Sequence, residues 1–319
     1  MKHYRTAFIG LGSMGRRHIR DLKAMMDGRG HICSIDVYRS DASRPVPEDI
    51  SGFVDKEYLL SDPIPGNMEK YDIIFITNPT SMHFETFKRF LPFAKSMFIE
   101  KPVFDRTDID LSELEPEILK TVPCYVACPL RYNPVLEYVR NNIDTHSAFA
   151  ARAMSSSYLP EWRPGTDYRK CYSAHRDMGG GVGIDLIHEW DYLTALFGYP
   201  EQGFSIQTRI SDLEIDSDDI ASYVARTPST VIELHLDYFG RKSQRTLEIF
   251  LAEDTVMCDL LSGTIDWRKS GRHMDFKVDG AKTYVTELEH FFDIIEEKCK
   301  NDNSIENALH TLKYAKGEF

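Results

Sequence analysis

The chain has 319 residues, 42% hydrophobic and 28% charged, a composition that excludes intrinsic disorder and leaves room for two domain cores. Its formal net charge of -12 argues against a non-specific hold on nucleic acid or anionic lipid, both of which require excess Lys and Arg. No apolar run approaches the roughly 18 residues that span a bilayer, and the N-terminal apolar stretch is too short for a signal peptide, so a cytoplasmic protein with no membrane partner is expected.

In chain order, the first 125 residues alternate strand and helix signals. Strands are predicted at 6–9, 32–36, 71–77, 97–100 and 124–127, with helices at 16–26 and 83–93 between them. Alternation of this kind implies an α/β doubly wound parallel sheet, a Rossmann domain over 1–125. The proline-broken stretch 40–70 is expected to be irregular. From 126 to 319 the texture changes. A helix at 134–142 precedes β-rich runs at 147–158, 204–213, 220–226, 231–238, 246–251 and 255–260, the pattern of a large open, mainly antiparallel sheet. The last forty residues return to helix, with Leu288, Phe291, Phe292 and Ile295 at helical spacing. The six cysteines form no C-x-x-C pair and no zinc spacing, so reduced thiols and no metal are expected.

The most informative segment is Gly10-Leu11-Gly12-Ser13-Met14-Gly15, between the first strand and the first helix. In that setting Gly10 makes the tight turn, Gly12 admits a pyrophosphate and Gly15 lets the helix approach the strand. The helix N-terminus, beginning near Ser13 and Met14, presents free N–H groups and a positive dipole end to the phosphates. Asp36 lies 26 positions after Gly10, close to the offset of the acid that binds the adenine ribose, which favours NAD. Arg39, three residues on, is suited to a 2′-phosphate, so NAD is the expected cofactor and NADP the alternative.

Two further loops follow predicted strands: Thr77-Asn78-Pro79 with His83, and Glu100-Lys101-Pro102. A lysine at the mouth of a cofactor crevice can donate to a substrate oxygen and stabilise alkoxide character. Further on, the run Gly179-Gly180-Gly181-Val182-Gly183 leads into a predicted helix carrying Asp185 and His188 three apart on one face. A carboxylate beside an imidazole raises its basicity for proton transfer.

These motifs together, with Arg131-Tyr132-Asn133-Pro134, resemble the Gfo/Idh/MocA family of NAD(P)-dependent oxidoreductases over essentially the full length. The resemblance implies Lys101 and His188 as the catalytic pair, a Lys101–Pro102 peptide that is often cis, and a C-terminal domain that binds substrate and forms a homodimer or homotetramer through its sheet. In inositol-dehydrogenase-like members the acid precedes the histidine by four positions rather than three, which leaves Asp185 or Asp191 to orient His188. Arg131 joins the substrate-binding set.

The polar, aromatic segment 158–172 contributes Trp162, Arg163, Tyr168 and Arg169, with Tyr172 at its end. Such residues suit an acidic or nucleotide-linked sugar, or else form an ordinary surface loop. The expected activity is hydride transfer between a nicotinamide cofactor and a hydroxyl or carbonyl of a small sugar-type substrate. The alternatives are NAD-dependent glycoside cleavage on the same fold and a non-catalytic dinucleotide sensor, which would not need Lys101 and His188.

Overall fold

Two sheets of different character account for the strands in the computed structural model, which describes residues 1–41, 43, 45–113 and 116–319. The first is a six-stranded sheet in the order β3-β2-β1-β4-β5-β6, built from β1 (His3–Ile9), β2 (Ile32–Arg39), β3 (Lys56–Leu59), β4 (Ile73–Ile76), β5 (Met97–Ile99) and β6 (Cys124–Val126). Every pairing in it is parallel, the doubly wound arrangement that the alternating pattern predicts. Two details differ from expectation. β2 runs three residues past Asp36, and β3 lies inside the stretch expected to be irregular.

The chain falls into two compact units. One comprises Met1–Ala127 with Tyr284–Leu309, the other Cys128–Thr283 with His310–Phe319. Within the first, Phe8 stacks on Phe75 at 4.3 Å, Phe75 meets Phe98 at 5.3 Å, and Phe98 meets Phe291 edge-on at 5.4 Å. The helix Ser13–Gly28 covers the same sheet with Gly15, Ile19, Leu22 and Met26, a stripe at helical spacing. Strands buried on both faces read as continuous apolar runs, as Ile73–Ile76 does.

The second unit carries an eight-stranded sheet ordered β14-β13-β12-β11-β7-β10-β9-β8. Its strands are β7 (Ala150–Tyr158), β8 (Gln202–Thr208), β9 (Ile220–Arg226), β10 (Val231–Asp237), β11 (Phe239–Phe250), β12 (Thr255–Asp259), β13 (Thr264–Trp267) and β14 (His273–Asp275). All neighbours are antiparallel except β7 and β10. Alternation sets the faces: Ile232, Leu234 and Leu236 of β10 are buried, while Glu233 is exposed. β8 stops short of the expected 213 because the buried Asp219 carboxylate captures the backbone N–H groups of Ile210 and Ser211, each at 2.9 Å. The outer face keeps Phe204, Ile206 and Val224 66%, 57% and 53% exposed, with Phe204 directly opposite Val224.

Arg131, expected to face substrate, is committed elsewhere. It lies in the turn Pro129–Tyr132, and its Nε and a terminal nitrogen each donate to Asp191 at 2.8 Å, both side chains being buried. Asp191 is accordingly a structural partner of Arg131. Breaking such a pair strands a buried charge, so Arg131→Ala should lower the unfolding free energy by about 3–5 kcal/mol in denaturant titration.

Candidate active site

The carboxyl ends of β1, β4 and β5 bring together most of the residues expected to hold the cofactor. Gly10 has φ +98°, and a Cβ there would sit 2.7 Å from the Asn78 backbone. A Cβ on Gly15 would sit 2.4 Å from the Gly10 carbonyl oxygen, whereas one on Gly12 meets nothing within 4 Å. The turn is thus closed on its protein side and open where a pyrophosphate would lie. Ser13 begins the helix and Met14 follows, with no acidic residue in the first turn to offset the positive dipole end. These features fit a dinucleotide.

Thr77 and Asn78 serve the turn rather than projecting from it. The Thr77 hydroxyl donates to the Gly10 carbonyl at 2.8 Å, and the Asn78 amide donates to Thr86 Oγ1 at 2.8 Å. Pro79 is exposed on the same loop. His83, expected at the cofactor, is buried and ties two loops together. Its Nδ1 lies 3.0 Å from Pro102 O and its Nε2 2.9 Å from Asn78 O. Burial pulls the imidazole below its ordinary value against the effect of those carbonyls.

The Glu100-Lys101-Pro102 segment is held from its other side by His18, whose Nε2 lies 2.6 Å from Glu100 Oε1, both groups buried. The Lys101 backbone N–H donates to Glu100 Oε2 at 3.2 Å, and the Lys101–Pro102 bond is cis. Burial alone would raise the Glu100 carboxyl. The His18 hydrogen bond and charge, with Lys101 and His83 nearby, outweigh it and hold Glu100 below the ordinary carboxylate range. Nothing in the spacing of the sequence shows that His18 has a partner 82 residues away.

Asp36 is not at the crevice. It pairs with Ala7 in mid-strand, is buried, and accepts from Tyr71 Oη at 2.7 Å and from Arg5 at 3.3 Å. The residue beside the glycine turn is Arg39, the last of β2. The sequence offset misleads because three further residues fit between Asp36 and the strand's end.

In the second unit, Asp185 and His188 do not share a helix. Val182–Asp185 ends at Leu186, and a separate helix, His188–Phe197, starts with the half-buried His188 at its N-terminus. Asp185, itself buried, accepts from Tyr238 Oη at 2.5 Å. Burial, together with the charge and hydrogen bond of Asp185, pushes the Tyr172 phenol up. Trp162 packs edge-on against Tyr238 at 5.2 Å, and Arg163 lies over the Tyr172 ring at 5.4 Å. Tyr238 was missed, since a tyrosine in the link between two strands carries no functional signal of its own.

Of the remaining loop residues, Tyr168 accepts from the Glu214 N–H at 3.2 Å, and Arg169 is bound to Asp167 at 2.8 Å and Glu214 at 3.0 Å. The Arg169 guanidinium is thus occupied by two carboxylates. Among the described residues, no group of three or more His, Cys, Asp or Glu side chains could hold a metal, and no helix is long and apolar enough to cross a membrane.

Two outcomes follow from this geometry. Gly15→Ala should lower Tm and weaken NADH binding together, whereas Gly12→Ala should weaken binding with Tm unchanged, read by thermal unfolding and fluorescence titration. A carboxyl depressed in the folded state stabilises above its unfolded pKa, about 4.3, and loses that contribution as pH falls through the lower folded value. The stability advantage of the unmodified protein over Glu100→Gln should therefore hold down to that pH and shrink only below it, as denaturant titrations across pH would show.

Comparison with known proteins agrees with the architecture. Residues 4–114 match the model of an oxidoreductase family with an NAD-binding Rossmann fold. Over 318 residues the chain is 22% identical to scyllo-inositol 2-dehydrogenase (NAD(+)) of Bacillus subtilis (strain 168), covering 92% of this chain and 87% of that protein. Inositol 2-dehydrogenase of Rhizobium meliloti (strain 1021) is 26% identical over 61% of this chain and 55% of its own length. Levoglucosan dehydrogenase in complex with NADH and levoglucosan superposes with a TM-score of 0.80 at 15% identity, covering 98% of this chain and 95% of that one. UDP-N-acetylglucosamine 3-dehydrogenase from Acidithiobacillus ferrooxidans gives 0.74 at 19%, covering 99% and 96%.

Proposed function

We propose that this chain, whose residues 4–114 match the model of the Gfo/Idh/MocA family of NAD-binding oxidoreductases, is an enzyme of that kind and oxidises a hydroxyl of a sugar or sugar derivative, or reduces the corresponding carbonyl. The observation that carries this reading is Lys101, fixed beside the glycine turn's own strand layer by the His18–Glu100 bond and the His83 bridge. The similarity to the inositol dehydrogenases, and the fold shared with sugar-acting enzymes, support the substrate class.

The bound dinucleotide supplies the redox chemistry through its nicotinamide. In the oxidative direction Lys101 donates to the substrate oxygen and steadies its developing negative charge, while His188 takes the hydroxyl proton. Asp185, held by Tyr238, is a fixed side chain within the second unit, and Arg163 with Trp162 offers a cation and a ring face to an acidic or nucleotide-linked sugar.

We further read the exposed apolar patch of Phe204, Ile206 and Val224 as the homodimer or homotetramer contact of the eight-stranded sheet, since such patches on a sheet face mark association sites. The six free thiols suit a reducing compartment such as the cytoplasm.

The test is an NADH absorbance assay over scyllo-inositol, myo-inositol, levoglucosan and UDP-N-acetylglucosamine. Lys101→Met and His188→Ala should each lower kcat by about 10²-fold or more on the active compound, with NADH affinity retained. Near-normal turnover in either variant removes that residue from the mechanism. Release of a leaving group without NADH accumulation would instead indicate glycoside cleavage.

A further inference from the structure

The first unit holds a cavity of about 540 Å³ whose lining includes no residue of the glycine turn or of Glu100-Lys101-Pro102. Its size falls within the range of roughly 300–1,000 Å³ that receives small molecules. One wall is the approach to β6, with Cys124, and the other is the chain that leaves helix Gly280–Ile295, with Cys299. Charges of both signs surround it, Lys120 and Lys300 beside Glu297 and Glu306.

The way that helix ends decides where Cys299 goes. The Lys298 N–H donates to the Asp293 carbonyl at 2.8 Å and the Glu297 N–H to the Ile294 carbonyl at 3.0 Å, the paired bonds of a Schellman ending. Glu297 takes the left-handed conformation that this ending needs, with φ +58°. The chain thereby reverses and brings Cys299 beside His290, nine residues back, with Sγ 3.9 Å from Nδ1. On the far side of the ring, Nε2 lies 2.9 Å from Asp302 Oδ1. An ionised carboxylate only accepts, so Nε2 carries the proton and Nδ1 accepts from the thiol. Tyr125 packs edge-on against the imidazole at 6.1 Å.

A thiol, an imidazole and a carboxylate in that order are the parts of a base-assisted nucleophile. The base is needed here. Partial burial and the carboxylates of Asp293 and Asp302 push the Cys299 thiol up, against the effect of Lys298, so the resting group is protonated. Other thiols lack this help. Cys124, in the same cavity wall, donates to Val122 O at 3.3 Å, and burial pushes it up to about 12. Burial likewise pushes Cys33 up to about 11 and Cys258 up to about 12.

We propose that Cys299 is a thiol–disulfide exchange site whose cavity receives one arm of a small disulfide with zwitterionic arms, of the glutathione type. The thiol proton passes to His290 Nδ1 as the sulfur bonds to one sulfur of the incoming disulfide. The S–S bond of that disulfide breaks, and the departing thiolate takes the proton back from the imidazolium. One disulfide and one thiol become one mixed disulfide and one thiol, with the small disulfide as oxidant. The site goes beyond the dehydrogenase reading and does not depend on it.

The experiment treats the purified full chain with glutathione disulfide near pH 7, follows adducts by intact mass and locates them by peptide mapping. The first adduct should form on Cys299 and be absent in Cys299→Ser. His290→Gln should slow its formation about tenfold or more, and Asp302→Asn should slow it less. Raising the pH toward about 10, where a thiol ionises without a base, should close the gap between His290→Gln and the unmodified protein. A merely altered access to the cavity would slow the reaction equally at both pH values. Circular dichroism and Tm check that each variant folds. Three results overturn the proposal: another thiol reacting first, His290→Gln reacting as fast as the unmodified protein at neutral pH, or a slowing that persists undiminished at high pH.

Discussion

The buried bond between His18 and Glu100 is the constraint on which the first unit's site depends. It joins the helix that opens at the glycine turn to the loop that carries Lys101, two elements that the chain makes far apart. A carboxylate and an imidazole taken out of water are costly unless each satisfies the other. The pair is therefore stable in one arrangement, with the helix seated on the sheet and the loop drawn in beneath it. The T-shaped contact of His18 with Phe98 at 4.9 Å fixes the ring from the core side. His83 repeats the device from the neighbouring helix His83–Phe90, using backbone carbonyls in place of a carboxylate. Between them the two imidazoles leave segment 100–103 little freedom.

Where local chemistry decides structure, the sequence was legible. Gly10 and Gly15 are glycines because a Cβ would strike Asn78 or the Gly10 carbonyl, and that requirement shows in their spacing alone. The apolar runs of β1, β4 and β5 and the alternation along β10 likewise place the two sheets. Glu100-Lys101-Pro102 falls at the end of β5, where its position in the chain predicts.

What the sequence concealed depends on register and on partners distant along the chain. Asp36 has the expected offset from Gly10, yet offset counts residues and not the level at which strands pair. Only the hydrogen bond from Gly10 to Tyr38 shows which side chain stands beside the turn. Asp185 and His188 have helical spacing, but spacing cannot reveal a break at Leu186. Arg131 looked free for a ligand because its partner, Asp191, lies 60 positions on. The strands β13 and β14 are short and carry little pattern, and they were not anticipated.

The first unit takes its last pieces from near the end of the chain. Phe291 closes the aromatic cluster against Phe98, while Asn303 supplies both a carbonyl and an amide donor to the edge of β6 at Val126. During synthesis on a ribosome, the residues from 1 to 127 emerge long before these arrive. For that interval the nascent sheet has an unsealed edge and an uncovered ring cluster, surfaces that invite wrong partners. The intervening 156 residues of the second unit, Cys128–Thr283, must be made before the gap can close. The first unit is consequently begun before the second is translated and finished only after most of it has been made.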